Sequence, residues 1–341
     1  MELTEIKSVF ENFEKIAPDF QIKTLESGHI NHSFWVRNNS SAVLLQKVNS
    51  HIFPNLESIS SNILEITNHL KSKDYPHEIL HPLPFSNGKY LWKNEWRIFK
   101  FIDNSQGFDK VNSSEQCLEA AKFLGEFHLY LSDLDSTKIQ HPLPQFLDYE
   151  NRWQEFVMSV DFASQDRYAL ALPEINFVYE NRNILDRWIN IQSKLPIRII
   201  HGDPKISNFL FDAEKSNKII ALIDWDTFMP GTILYDFGDM VRSYTNLKKE
   251  DEISKGKYYS SENYNALKEG FLFHLKKQLN AIEIENLPLA AQSIIFIQAI
   301  RFLTDFLNND QYYHTSYTNQ NLHRTQNQIQ LLKELRAFLN D

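Results

Sequence analysis

The forty-one residues from Ile199 to Asp239 constrain this chain more than any other stretch. An apolar strand pattern, Ile199-Ile200, runs into His201-Gly202-Asp203, and Asn208 follows at the spacing Asp-x-x-x-x-Asn. After a polar turn a second apolar run, Lys218 to Ile223, ends in Asp224. Each element is cheap alone. Two short buried strands that bracket a polar loop, with an Asp closing the second, are hard to obtain by chance.

This is the order of parts in a kinase catalytic loop followed by its metal-binding strand. Phosphoryl transfer needs a carboxylate to orient the attacking hydroxyl and accept its proton, a role that suits Asp203. It also needs oxygen ligands for Mg²⁺, which bridges the ATP phosphates; Asn208 and Asp224 suit that role. Lys205 could reach the transferred phosphoryl as a point charge, and His201 suits a structural brace. The literal Asp236-Phe237-Gly238 matches the metal-binding tripeptide of protein kinases, but it follows Met229-Pro230-Gly231, which breaks any strand. The metal is therefore expected at Asp224, with Asp236 as a second brace. Asp226 is open between a further ligand or substrate contact and a loop residue.

The rest of the chain supports two lobes. With 341 residues, 42% hydrophobic content, 25 Phe and 14 Tyr, a sizeable core is available and extended disorder is excluded. A formal charge of −9 without a Lys/Arg run argues against nucleic-acid binding. The single cysteine, Cys117, sits in a helical pattern and excludes an internal disulfide framework. No stretch reads as a transmembrane helix or signal peptide, so a cytoplasmic protein is expected, with no membrane partner.

Residues 1–103 read as a small antiparallel-sheet lobe. A helix over 1–16 carries Leu3, Ile6, Phe10 and Phe13, and strands follow at 21–26, 33–37 and 42–48. The first two are joined by Ser27-Gly28-His29-Ile30-Asn31-His32, a turn whose Gly28, His29 and Asn31 could cover nucleotide phosphates. The third should carry the phosphate-pairing group, and Gln46 and Lys47 point to opposite faces, so that choice stays open. A helix over 55–70 offers Glu57 or Glu65 as its partner, and His77 and His81 read as loop histidines. Residues 89–92 and 96–102 read as a hairpin, with a hinge near 101–107 where backbone groups of Phe101 and Ile102 would hold adenine. Residues 104–341 read as a larger, mainly helical lobe containing the catalytic loop 201–208 and metal strand 218–226. Its helices are expected at 114–131, 149–160, 176–191, 261–279, 287–308 and 319–339, with His128 as a core histidine.

Taken together, the chain resembles the aminoglycoside phosphotransferase and choline kinase superfamily, and within it most closely the bacterial N-acetylhexosamine 1-kinases. The resemblance lies in Gly28-His29-Ile30-Asn31, Leu45-Gln46-Lys47-Val48-Asn49, Trp96-Arg97, and Ile223-Asp224-Trp225-Asp226-Thr227-Phe228. It continues through Tyr235-Asp236-Phe237-Gly238-Asp239 and Ile300-Arg301-Phe302. It implies an α+β, protein-kinase-like fold, ATP with Mg²⁺, and phosphorylation of a sugar hydroxyl, with Arg301 facing the acceptor; the competing reading pairs Arg301 with Asp305. Gly202 and Pro204 stand where the 1-kinases carry Asn and Thr, and Asn31-His32-Ser33 where Asn-Asp-Thr is common. These departures put the acceptor in question. The rival functions are an amino-alcohol or aminoglycoside kinase and, from another class, a nucleotide-binding pseudokinase.

Overall fold

The computed structural model describes residues 3–10, 12–13, 20–25, 31–37, 41–50, 52–143, 145–215 and 217–341. Gly28 and His29 lie outside them. Two compact units are present: Met1–Gly107 with Tyr130–Pro144 and Asn208–Pro230, and Phe108–Leu129 with Gln145–Ser207 and Gly231–Asp341.

The first half of the chain forms α1 (Leu3–Phe10), β1 (Gln21–Leu25), β2 (His32–Arg37), β3 (Ala42–Lys47), α2 (Leu56–Ser72), β4 (Pro82–Leu83), β5 (Trp96–Lys100) and β6 (Ser105–Gln106). Helices α3 (Ser114–Tyr130), α4 (Tyr149–Phe162), α5 (Gln165–Glu180) and α6 (Asn183–Gln192) come next. Strands β7 (Arg198–Ile200), β8 (Phe209–Asp212), β9 (Ile219–Leu222) and β10 (Met229–Gly231) carry the central stretch. The chain ends in α7 (Ile233–Tyr244), α8 (Ser261–Leu275), α9 (Ala281–Glu285), α10 (Leu287–Leu307) and α11 (Gln320–Leu339).

In the first unit an antiparallel sheet runs in the order β1-β2-β3-β5-β4. Alternation sends Phe34 and Val36, Val43 and Leu45, and Trp96 and Ile98 to one face, where they pack with Ile6, Val9 and Phe10 of α1. A smaller sheet, β6-β8-β9, holds the hairpin that ends at Asp224. The expected strand at 89–92 does not form. Lys93 and Asn94 both take left-handed conformations (φ 50° and 54°), closing a tight Trp92–Trp96 turn, and β5 pairs with β4 instead.

The second unit is mainly helical. The expected helix at 176–191 is two helices, α5 and α6, broken at Asn181, whose amide caps the carbonyl of Phe177. The start of α5 was hidden because Tyr168, Leu170 and Leu172 are exposed and Pro173 lies inside the helix. Helix α10 is packed against α4, α5, α6, α7 and α11. It corrects the membrane reading: by length and composition Leu287–Leu307 could cross a bilayer, but 78% of its most apolar window is buried inside the protein.

Asp236-Phe237-Gly238 lies in the opening turns of α7, which begins after the N-cap Thr232. Phe237 is fully buried against Phe271, ring centroids 5.2 Å apart. A Cβ on Gly238 would lie 2.5 Å from Ile294 and 2.8 Å from the Ala290 carbonyl oxygen of α10. The glycine is thus required by close helix packing.

Candidate active site

In the second unit, β7 delivers the chain to His201, Gly202 and Asp203. Gly202 takes φ +83°, a conformation that glycine adopts without a Cβ clash, which gives its presence here a local reason. The buried Asp236 carboxylate accepts hydrogen bonds from the backbone amides of His201 and Gly202, each 2.8 Å. His128, buried on α3, places Nε2 3.0 Å from Asp236 Oδ2. The loop is tied inward twice more: the Asp203 amide donates to His201 Nδ1 at 3.2 Å, and Tyr244 Oη donates to the Pro204 carbonyl at 3.1 Å. Asp203, part-exposed, has Lys205 Nζ 2.7 Å from its Oδ2. One turn beyond Asp236, Asp239 pairs with Arg242 at 2.7 Å. Burial pushes the Asp239 carboxyl above its ordinary range, Arg242 opposes this, and the charges of Asp203 and Asp236 add to the rise.

In the first unit, β8 and β9 pair Phe209 with Leu222, and the Ile223 amide donates to the Asn208 carbonyl at 2.8 Å. Asn208 and Asp224 therefore flank the paired end of one hairpin. Asp224 has φ +63° and ψ 60°, a left-handed conformation that disfavours a side chain by about 1–2 kcal/mol. The turn beyond it, Trp225–Thr227, is held by Trp225 Nε1 donating to the Leu222 carbonyl at 2.8 Å. Asn208 and Asp224 together offer hard oxygen donors and one carboxylate. That set suits Mg²⁺, which takes one or two protein ligands and fills its octahedron with water and phosphate oxygens.

Asp226 is engaged elsewhere. Its side chain is 2% exposed, and Arg97 grips it with Nη1 at 2.5 Å and Nη2 at 2.8 Å. Asn31 Nδ2 donates to the same carboxylate at 2.8 Å, and Asn31 Oδ1 accepts from the Asn49 amide at 3.1 Å. With three donors on it, this carboxylate is a poor metal ligand or substrate contact. Arg97 also donates from Nε to Gln46 Oε1 at 3.1 Å, and Gln46 Nε2 donates to Ser33 Oγ at 2.9 Å.

Strand register separates the two residues left open on β3. Lys47 shares the face of Val43 and Leu45, and its Nζ lies 2.7 Å from Glu5 and 3.4 Å from Glu95. Gln46 is on the opposite face, directly across from Arg97. Lys47 is thereby removed from the Gln46 face, and the cation found there is Arg97, to which no role was assigned from sequence. Neither helical Glu reaches this network: Glu65 pairs with Lys138 at 3.0 Å and Glu57 is exposed. Buried Asn62 anchors α2 instead, donating to the carbonyls of Gln140 at 2.8 Å and Phe228 at 3.1 Å. At the expected adenine segment, the Phe101 amide donates to the Ala42 carbonyl at 3.3 Å, and the Ile102 carbonyl accepts from Ser105 Oγ at 2.7 Å.

Arg301 of α10 faces a cavity of about 280 Å³ within the second unit, lined also by Arg152, Glu155, Thr304, Tyr312 and Tyr313. Its guanidinium carbon is 5.6, 5.7 and 6.0 Å from the ring centroids of Phe146, Tyr313 and Tyr312. Arg301 Nη1 donates to Gln298 Oε1 at 3.1 Å. The expected alternative, a pair with Asp305, is absent because that carboxylate accepts from the amides of Tyr312 (2.8 Å) and Tyr313 (2.9 Å) and from Asn321 (2.9 Å). Glu155 is likewise engaged by Arg152 at 2.8 Å and Asn151 at 3.0 Å.

A small antiparallel sheet backed by a helix, a mainly helical second unit and an Asp-bearing loop tied to a buried helical carboxylate define the protein-kinase-like α+β fold. Residues 21–269 match the model of the phosphotransferase enzyme family, and the chain belongs to that family. Solved structures share the fold along nearly the whole length. A microcompartment-associated aminopropanol kinase is 12% identical with a TM-score of 0.64, covering 99% of this chain and 98% of that one. A choline kinase from Cryptosporidium parvum is 17% identical with a TM-score of 0.58 (99% and 97% covered). A spectinomycin phosphotransferase in complex with ADP and spectinomycin is 14% identical with a TM-score of 0.57 (98% and 97% covered).

Proposed function

We propose that the protein is an ATP- and Mg²⁺-dependent kinase that phosphorylates a hydroxyl of an uncharged small molecule, with an N-acetylhexosamine or related sugar as the first candidate. Asp203 orients the acceptor hydroxyl and takes up its proton, and Lys205 offsets charge on the transferred phosphoryl. Asn208 and Asp224 would hold Mg²⁺, which when bound neutralises charge on the nucleotide phosphates. His201 and Asp236 fix the loop that presents Asp203. Gln46 and the Phe101–Ile102 backbone belong to the nucleotide side of the site, whereas Asn31, expected there, is engaged by Asp226 and Asn49.

The observation that carries the choice of acceptor is the state of charge around Arg301. Its guanidinium is permanently charged and ringed by aromatic faces. Of the two carboxylates lining the same cavity, Glu155 is ion-paired with Arg152, and Asp305 binds the amides of Tyr312 and Tyr313 and the side chain of Asn321 rather than Arg301. A cationic amino alcohol or aminoglycoside would be repelled by the Arg301 guanidinium, an effect that the Asp305 charge offsets in part. A sugar offers the hydroxyl and amide oxygens that a guanidinium binds and the flat apolar face that aromatic rings stack against.

The test is ATP consumption across N-acetylhexosamines, hexoses, amino alcohols and aminoglycosides, with wild type and Arg301→Ala. Turnover of a sugar, with its KM raised about tenfold or more by the substitution, is expected. Turnover confined to choline, ethanolamine or an aminoglycoside would overturn the acceptor assignment, and no transfer to any acceptor would favour the pseudokinase.

A further inference from the structure

Asp224 keeps an unfavourable backbone conformation at the end of β9, so something beyond the strand must hold it there. On its N-terminal side the Ile223 amide is fixed to Asn208. On its C-terminal side the first charged anchor is Asp226, two residues on, gripped by both prongs of Arg97 and by Asn31. We infer that Arg97 and Asn31 are positioning residues that act through Asp226 to keep Asp224 poised for Mg²⁺. The inference rests on the phosphotransferase reading above and concerns how the metal half of that site is assembled.

The geometry suits the task. Arg97 is 5% exposed and fixed on a central strand, with its Nε occupied by Gln46 and its guanidinium carbon 5.1 Å from the Phe99 ring centroid. A planar guanidinium bound at two oxygens sets the orientation of the carboxylate as well as its position, which a lysine ammonium cannot do. Asn31 adds a second direction of restraint. Its one amide group binds Asp226 and the backbone of Asn49 together, so the residue that ends the β1–β2 connection is fastened to the turn following the metal strand. Outer residues that orient a metal ligand commonly govern affinity by tenfold or more without touching the ion.

The experiment uses the full chain, with Mn²⁺ as the probe followed by water-proton relaxation at saturating ADP, and with ADP affinity measured separately in EDTA. Arg97→Lys keeps the buried positive charge but loses the two-pronged grip. It is expected to weaken Mn²⁺ uptake about tenfold while leaving metal-free ADP binding within about twofold. Asn31→Ala, which leaves the buried ion pair intact, is expected to shift Mn²⁺ affinity in the same direction by about threefold to fivefold. Circular dichroism of each variant confirms that the readout comes from folded protein. Equal losses of ADP affinity with and without metal would place Arg97 on the phosphates and overturn the inference, as would wild-type Mn²⁺ uptake in both variants. If wild type itself takes up no Mn²⁺ with ADP, the phosphotransferase reading falls and the inference falls with it.

Discussion

Asp226 and Asp236 are both buried carboxylates, 2% and 0% exposed, and they are bound in opposite ways. In the first unit Asp226 is held by side chains remote in sequence, Arg97 and Asn31, and it is a charge that others neutralise. In the second unit Asp236 does the holding: it collects the backbone amides of His201 and Gly202 and sits beside His128. An ion pair can be deleted as a pair. The backbone amides that Asp236 gathers cannot be deleted with it, because they remain whatever side chains are changed.

The largest expected effect follows from that contrast. Arg97→Met leaves the Asp226 carboxylate buried without its guanidinium and should lower stability by about 3–5 kcal/mol in urea unfolding. Adding Asp226→Leu should restore most of the loss; a double variant as unstable as the single one would break the comparison. Asp236→Asn should follow at about 2–3 kcal/mol, because one backbone donor faces an amide NH₂ and the remaining bond loses its charge. Gly238→Ala should cost about 1–3 kcal/mol by overpacking α7 against α10.

Lys47→Ala should be smallest. Its bridge to Glu5 is part-exposed, so about 1 kcal/mol or less is expected, with ADP affinity unchanged. The hydrogen bond to Glu5 pushes the Lys47 ammonium above the ordinary lysine range, with burial opposing. Its contribution is therefore complete below the unfolded lysine pKa and is lost only as pH rises through the raised value. The difference from wild type should be flat between about pH 6 and 9. A tenfold fall in ADP affinity would instead return Lys47 to the phosphates.

Part of this arrangement was legible because apolar runs are written locally. The apolar run before Asp224 forms β9 as expected. Asp-Phe-Gly lies on α7, apart from the metal strand as expected, but not for the expected reason: Met229-Pro230-Gly231 does not break a strand and is itself the short strand β10. What escaped depended on partners distant in sequence. Strand alternation could not assign Gln46 and Lys47 because β3 has apolar neighbours on both faces, and only the packing of α1 tells the faces apart. Arg97 carried one usable signal, a charge inside the buried run Trp96 to Phe99, which demands a buried counterion. Asp226, left between two roles, was that counterion. Asn62 gave no signal, since a neutral amide on a helix has no obligatory partner.

The central claim is that the metal belongs to the strained carboxylate of the hairpin and not to the helical Asp-Phe-Gly. Mn²⁺ uptake at saturating ADP, compared between Asp224→Ala and Asp236→Asn in variants shown to be folded, tests it most directly. The expected result is loss of Mn²⁺ binding in Asp224→Ala and near-wild-type binding in Asp236→Asn. Retention by Asp224→Ala with loss in Asp236→Asn would contradict it.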